Sequence, residues 1–343
     1  MCVTTPVVLA VDGNSLVHRS FHAQAHPSQP AWAVRGLLSQ LVAAVDRIRP
    51  AAVIVGFDDV KRSLRRERWP HYKANRTQKL DSLVEQLVQA VAAMRELGVA
   101  VAVPDGLEAD DVLASAAAFA RRAGAQTVIV TSDRDSFALI DEHTRVLRII
   151  NGGVDASPLM TDDRLVTLLG VRASQYRDFA ALRGDPSDNL PGVRGIGPQL
   201  AARLLAEFGT AESAFDDLDA VRTRLGATTA TRLAHPDARG AWEHNCRVMA
   251  MHDDLPLELE LSAGPGALPL CADAVETVFR AQNLTWSVGQ AVRVLAETDA
   301  DEVRPPRPVK PWADTQSVDL RRSRPRPTAL APRLPVTEQL ALF

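Results

Sequence analysis

Three short runs constrain this chain most: "VVLAV" at 7–11, "AAVIVGF" at 51–57 and "TVIVT" at 127–131. Each is continuously apolar and rich in Val and Ile. A strand with one wet face alternates apolar and polar residues, whereas a strand covered on both faces does not. Helical patterns lie between the runs, over 33–49, 80–97 and 109–123. Buried strands alternating with helices predict an α/β domain, a parallel central sheet flanked by helices.

Each apolar run also ends in acid. Asp12 follows the first, Asp58 and Asp59 the second, Asp133 and Asp135 the third. Sites in open α/β sheets form beyond the carboxyl ends of the strands. A further group stands in "GLEADDVLASAAAFA" (106–120), where Glu108, Asp110 and Asp111 crowd the mouth of one helix. Capping accounts for acids there, because a helix N-terminus carries unpaired N–H groups and partial positive charge. One Asp would serve. Three close carboxylates repel one another, and burial raises their pKa values unless a cation compensates. The stretch by itself leaves both readings open, solvated caps and metal ligands.

The rest of the chain favours ligands. Asp185 and Asp188 sit in a second acidic loop, "LRGDPSDNLPGVRGIG" (182–197), which completes a set with Asp12, Asp58, Glu108, Asp110, Asp111, Asp133 and Asp135. Hard cations such as Mg²⁺ take oxygen ligands and keep several waters, leaving room for phosphates. Two such ions roughly 3.5–4 Å apart can clamp the attacking and leaving oxygens of a phosphodiester. The histidines and cysteines have no zinc spacing. No Ser–His–Asp or Cys–His arrangement competes.

Net charge is −3, which does not advertise a nucleic-acid partner, but its distribution does. "KRSLRRERWPHYKANRTQK" (61–79) holds eight Lys and Arg residues against one acid, Glu67. Such a stretch neutralises phosphates, and its aromatics, Trp69, His71 and Tyr72, suit stacking on unpaired bases. An exposed Arg-rich helix is the alternative. From about residue 160 the pattern turns helical. Gly192, Gly195 and Gly197 predict a tight turn whose N–H groups can approach a phosphate, and Pro198 suits the first turn of the next helix. Beyond Ala296 a Pro- and Arg-rich segment breaks all periodicity and reads as a disordered tail. The expected divisions are therefore 1–165, an α/β core with the basic stretch at about 60–80; 166–296, helical; 297–335, tail; and 336–343, an apolar terminal peptide. Three scattered cysteines and no signal-peptide pattern suit a reducing cytosol.

Five motifs, "VDGNSLVHRSFHA", "FDDVKRSLRRERWPHYKANR", "EADDVLA", "TSDRDSFAL" and "LRGDPSDNLPGVRGIG", carry a resemblance in order and spacing. The chain resembles the 5′-nuclease (flap endonuclease) superfamily, and within it the 5′→3′ exonuclease domain of bacterial DNA polymerase I, from about residue 6 to 296. The resemblance implies a PIN-like nuclease core with a helical arch and a helix–three-turn–helix region. It implies Mg²⁺-dependent cleavage of branched DNA by a two-metal mechanism, with Mn²⁺ able to substitute. Asp12, Asp58, Glu108 and Asp110 would serve one metal; Asp111, Asp133, Asp135 and Asp188 the other, with Asp185 in support. Lys73 and Arg76 would contact the scissile phosphate, and Tyr72 would stack on the unpaired base. Arg19 and Arg65 would be further DNA contacts. Gly192, Gly195 and Gly197 would grip the duplex backbone, with K⁺ bound at the hairpin. The final "QLALF" resembles a sliding-clamp docking peptide, in which Gln339, Leu340, Leu342 and Phe343 make the contact. No polymerase segment follows, so a free-standing nuclease is expected. Departures from the family pattern are Gln199 and Leu200 for a Lys-Thr pair, Leu64 for an aromatic and Ala138 for a Gln. Two other classes fit less well. A non-catalytic DNA-binding relative would be expected to have lost a ligand, and single-strand RNA nucleases of related acidic fold are smaller and lack the glycine hairpin.

Overall fold

The computed structural model describes residues 5–23, 31–76 and 80–297. Its centre is a six-stranded sheet: β1 (Val7–Asp12), β2 (Ala52–Gly56), β3 (Ala100–Ala102), β4 (Gln126–Thr131), β5 (Thr144–Arg148) and β6 (Leu159–Met160). The spatial order is β3-β2-β1-β4-β5-β6. Five strands run parallel, and β6 adds an antiparallel edge beside β5 that the apolar runs do not signal. From β1 the chain moves outward to β2 and β3, then returns to β4 on the other side. The topological switch therefore falls between β1 and β4, where open α/β sheets form their crevice.

The absence of alternation in the strands has a direct cause. Leu9, Val11, Val53, Val55, Val128 and Val130 enter one core layer, while Val8, Ala10, Ile54 and Ile129 enter a layer on the opposite face. Both faces are covered, so successive residues are all apolar. Helices α1 (Gly13–Ala23), α2 (Trp32–Ile48), a short α3 (Leu64–Arg68), α4 (Asp81–Leu97) and α5 (Ala109–Arg122) lie between the first four strands. Helices α2 and α4 supply Leu37, Leu41, Leu87 and Met94 to the first layer; α5 supplies Val112, Leu113 and Ala116 to the second. Helix α5 is Ala-rich because it lies close to the sheet: a Cβ on Gly56 would stand 2.8 Å from the Val112 Cβ.

After α6 (Gly153–Ala156) the chain is largely helical: α7 (Asp162–Leu169), α8 (Tyr176–Arg183), α9 (Pro198–Phe208), α10 (Ala211–Asp216), α11 (Leu218–Leu225), α12 (Ala227–Leu233) and α13 (Ala238–Val248). A small antiparallel pair, β7 (Gly184–Asp185) and β8 (Leu190–Pro191), interrupts it and holds the second acidic loop. Helices α14 (Ala272–Ala281) and α15 (Val288–Leu295) depart from the expected division at 166–296. Val275, Phe279, Val288 and Leu295 pack into the first core layer with α2 and α4, so this pair belongs to the α/β core. The strongly one-sided apolar faces of α14 and α15 were legible; their partners, α4 about 185 residues upstream and α2 about 250, were not. The described residues all fall within one compact unit. Among the described residues no helix is long and apolar enough to cross a membrane.

Candidate active site

Sheet geometry gathers the first carboxylates. Asp12 ends β1 and is 5% exposed. It accepts hydrogen bonds from the Ser15 amide (2.8 Å) and from the Thr131 hydroxyl at the end of β4 (2.7 Å). Burial, with Asp58 and Asp133 adding repulsion, pushes its carboxyl up to about 7. Asp58, just past β2, accepts from the Ala109 amide at 3.0 Å, which draws the mouth of α5 to the edge of the sheet. Asp110, in the first turn of α5, has a buried Oδ1 with no hydrogen-bond partner among the described residues. Its carboxyl is raised well above the ordinary range by burial and by Asp133, Asp12 and Asp135. Burial and the neighbouring Asp133, Asp185 and Asp188 push Asp135 up to about 8. Asp12, Asp58, Asp110 and Asp133 line a cleft of about 520 Å³ with Arg19, Lys73 and Arg76.

Repulsion of this kind is the signature of a site built for positive charge. Among the described residues no three His, Cys, Asp or Glu side chains are arranged so that they could hold a metal ion between them. The donor set is oxygen-only and open, and Mg²⁺ suits such a set, since it keeps several waters and shares one or two carboxylates with substrate phosphates. The orphaned Asp110 oxygen and the raised carboxyls fit a cation in the same way.

Other expected site residues have protein cations beside them. Glu108 caps α5 and accepts from Lys73 Nζ (3.0 Å), Tyr72 Oη (3.0 Å) and Arg65 Nη1 (3.5 Å). Burial works against the Lys73 ammonium, but Glu108 and Asp188 outweigh it and hold its pKa above the ordinary value. Asp188 pairs with Arg76, and its backbone carbonyl accepts from the Lys73 amide at 2.9 Å. Burial still leaves the Asp188 carboxyl raised, against the pull of Lys73 and Arg76. The segment 71–76 is stitched to the acidic loop by further bonds: Asn75 Nδ2 to Pro186 O (2.8 Å), Arg76 Nε to Ser187 O (3.2 Å) and Asn189 Nδ2 to His71 O (2.8 Å). Asp185 accepts from the Ser187 amide and hydroxyl, 2.8 and 2.7 Å.

Three expectations change. Asp111 is fully buried, and its two oxygens accept from both Arg65 Nη atoms (2.7 Å each), the Glu108 amide (3.0 Å) and the His252 amide (2.8 Å). Burial would raise this carboxyl, but Arg65 and the two amides hold it below the usual range. With its oxygens so filled it serves the fold and is not placed to ligate metal. Arg65, expected on DNA, is 7% exposed and committed to that pair. Tyr72, expected to stack on a base, is 6% exposed and packs with Leu190 and Val248, its hydroxyl on Glu108. The basic stretch is also less helical than expected. Helix α3 ends at Arg68 because Pro70 follows, forcing Trp69 out of the helical region, and turns occupy 70–75.

Arg19 stays at the cleft and donates to Asn151 Oδ1 at 2.9 Å. At the hairpin, Gly192 is required by chain crossing: a Cβ there would meet the Arg183 carbonyl at 2.3 Å. Gly195 and Gly197 are exposed, between and beside the buried Val193 and Ile196. Gly197 precedes α9 with open space around it, so its backbone is approachable. Thr131, Ser15 and Asn151 escaped sequence reasoning. A polar residue closing the apolar run of β4 was the available signal for Thr131; nothing marks the other two. The terminal residues Gln339, Leu340, Leu342 and Phe343 lie outside the described residues.

Comparison with known proteins gives a consistent assignment. The family model for the 5′-3′ exonuclease N-terminal resolvase-like domain matches residues 7–169, and that for the 5′-3′ exonuclease C-terminal SAM fold matches 171–266. DNA polymerase I of Mycobacterium tuberculosis is 36% identical over 235 residues, 67% of this chain and 26% of that protein. Thermostable DNA polymerase I of Thermus aquaticus is 35% identical over 260 residues, 74% of this chain and 30% of that protein. The chain thus spans less than a third of the length of these relatives. The T5 D15 protein, co-crystallised with metal ions, shares the fold with a TM-score of 0.60 at 19% identity, over 84% of this chain and 99% of that one.

Proposed function

The chain belongs to the 5′-3′ exonuclease family, and from that membership we propose that it is a metal-dependent nuclease cutting branched DNA at single-strand/double-strand junctions. One observation carries the reading: aspartates from three strand ends and a helix mouth meet in one cleft, where burial and the neighbouring carboxylates hold Asp12 and Asp110 above the ordinary range, with Lys73, Arg76 and Arg19 on the rim. Asp12, Asp58, Glu108, Asp110, Asp133, Asp135 and Asp188 would hold Mg²⁺, with Asp185 in support; Mn²⁺ would fit the same oxygens. Such ions supply Lewis-acid charge and an activated water for in-line attack on a phosphodiester. Lys73 and Arg76 sit opposite, on the segment stitched to the acidic loop, where their charge can meet a scissile phosphate. Arg19 would bind a neighbouring phosphate from the far wall. Gly195 and Gly197 present approachable backbone to a duplex, and K⁺ would bind there through carbonyl oxygens.

The T5 D15 protein, which shares the fold, was co-crystallised with metal ions, and this supports metal dependence. End-labelled 5′-flap, nicked and single-stranded DNAs test it. Cleavage at the flap junction with Mg²⁺, leaving a 5′-phosphate and stopping in EDTA, is the expected result. DNA binding with no cleavage in either metal would replace the reading with a binding-only relative. The terminal QLALF peptide would dock on a sliding clamp, its Leu342 and Phe343 filling an apolar pocket. Deleting 339–343 should abolish clamp capture and spare flap cleavage; undiminished capture removes this partner.

A further inference from the structure

Arg65 is buried where the basic stretch, the mouth of α5 and the end of α13 meet. We propose that it is a positioning residue that fixes the Glu108 carboxylate at the edge of the metal cleft. The inference rests on the nuclease reading above and concerns a residue that touches neither substrate nor metal.

All five guanidinium N–H donors are in use. Nε donates to Val248 O (3.2 Å), Nη1 to Asp111 Oδ2 (2.7 Å) and Glu108 Oε2 (3.5 Å), and Nη2 to Asp111 Oδ1 (2.7 Å) and Ala250 O (2.7 Å). Asp111 closes the arrangement by accepting from the Glu108 amide (3.0 Å) and from the His252 amide (2.8 Å). The Glu108 backbone and side chain are thus both tied, directly or through one residue, to a single planar fork. The far end of that fork is anchored on carbonyls at the end of α13 and just past it, so the position of Glu108 depends on how α13 sits on the core.

Stability alone is a weak reason for this pair. Two buried charges carry a desolvation penalty of several kcal/mol each, and apolar residues of like shape often serve as well. The fork supplies direction, which apolar residues do not. Lysine could keep the charge but not the geometry: a point charge with three donors cannot span both Asp111 oxygens and two carbonyls.

Electrostatics and positioning predict opposite signs. If Arg65 only offset negative charge near the cleft, its removal would tighten cation binding. If it positions Glu108, removal weakens it. The measurement is calorimetric titration of the full chain with Mn²⁺ and no DNA, with kcat and KM on a 5′-flap alongside. Arg65→Lys, folded by circular dichroism, should weaken Mn²⁺ binding about 10- to 100-fold, the usual effect of disturbing an outer-sphere partner. Its kcat should fall in step, with KM for flap DNA within twofold. The double variant Arg65→Met with Asp111→Asn leaves no unpaired buried charge and keeps an acceptor for the Glu108 amide. It should fold and show the same weakening. Wild-type or tighter Mn²⁺ affinity in either folded variant overturns the assignment. If neither folds, Arg65 belongs to the stability of the fold and the assignment also falls. A wild-type chain that binds no Mn²⁺ and cuts no flap strikes the nuclease reading itself, a separate outcome.

Discussion

Two groups of carboxylates share one cleft region and differ in what faces them. Asp12, Asp110, Asp133 and Asp135 make no ion pair among the described residues, and three of them are pushed upward chiefly by burial and by one another. Glu108, Asp111 and Asp188 have Lys73, Arg65 and Arg76 against them. In the first group the protein's cations, Lys73 and Arg183 among them, act only from a distance and do not offset burial, which a fold tolerates when an external cation supplies the missing charge. In the second group the protein supplies its own cations, and only where these can let go is the carboxylate free for other work. Lys73 and Arg76, on the partly exposed 71–76 segment, can do so; Arg65, with every donor filled, cannot.

The largest expected effect breaks the first group. Asp133→Ala or Asp110→Asn should lower kcat on a 5′-flap by roughly 10³-fold or more, since several kcal/mol of transition-state stabilisation is lost at 1.36 kcal/mol per tenfold. DNA affinity in a gel-shift assay should stay within about threefold, because phosphate contacts dominate it; near-normal cleavage would remove these residues from the site. Asp111→Ala sharpens the division. It leaves Arg65 buried with only the longer contact to Glu108, so chemical denaturation should show a loss of about 3–5 kcal/mol. Undiminished stability with abolished Mn²⁺ binding would return Asp111 to the ligand set.

Lys73→Ala should slow single-turnover cleavage about 10²-fold while Mn²⁺ binding holds or tightens slightly, since Glu108 loses its ammonium partner. A wild-type rate would take Lys73 out of the mechanism. The smallest effect is on pH dependence in metal-free protein. Asp12 and Asp135, raised to about 7 and about 8, contribute stability that is complete below the ordinary carboxylate range and lost as pH rises through those values. Asp111, held low, contributes in the opposite sense, its stability lost only as pH falls below the unfolded value of 3.8. The thermal midpoint in EDTA should therefore fall by roughly 2–5 °C between pH 5.5 and 8.5. A midpoint that climbs over that range would show that the first group is compensated within the protein.

Much of the architecture was legible because its signal is local. Unalternating Val and Ile runs meant strands buried on both faces, and the acids after them fell at strand ends by simple continuation. Long contacts left no such trace. The sites of β6 and of α14 and α15 depend on which surface remains open once the sheet is built. The fates of Arg65, Tyr72 and Asp111 depend on groups 36 to 185 positions away. A basic residue beside a nuclease motif looks the same in sequence whether it will meet a phosphate or a buried aspartate.

Chain order alone thus determined the alternating α/β layout and the set of acids at the strand ends, since periodicity and adjacency are properties of neighbours. Tertiary structure decided which of those acids would face open cleft and which would be filled by Arg or Lys. That choice turns on burial and on the reach of one planar guanidinium, and both exist only after distant segments have packed.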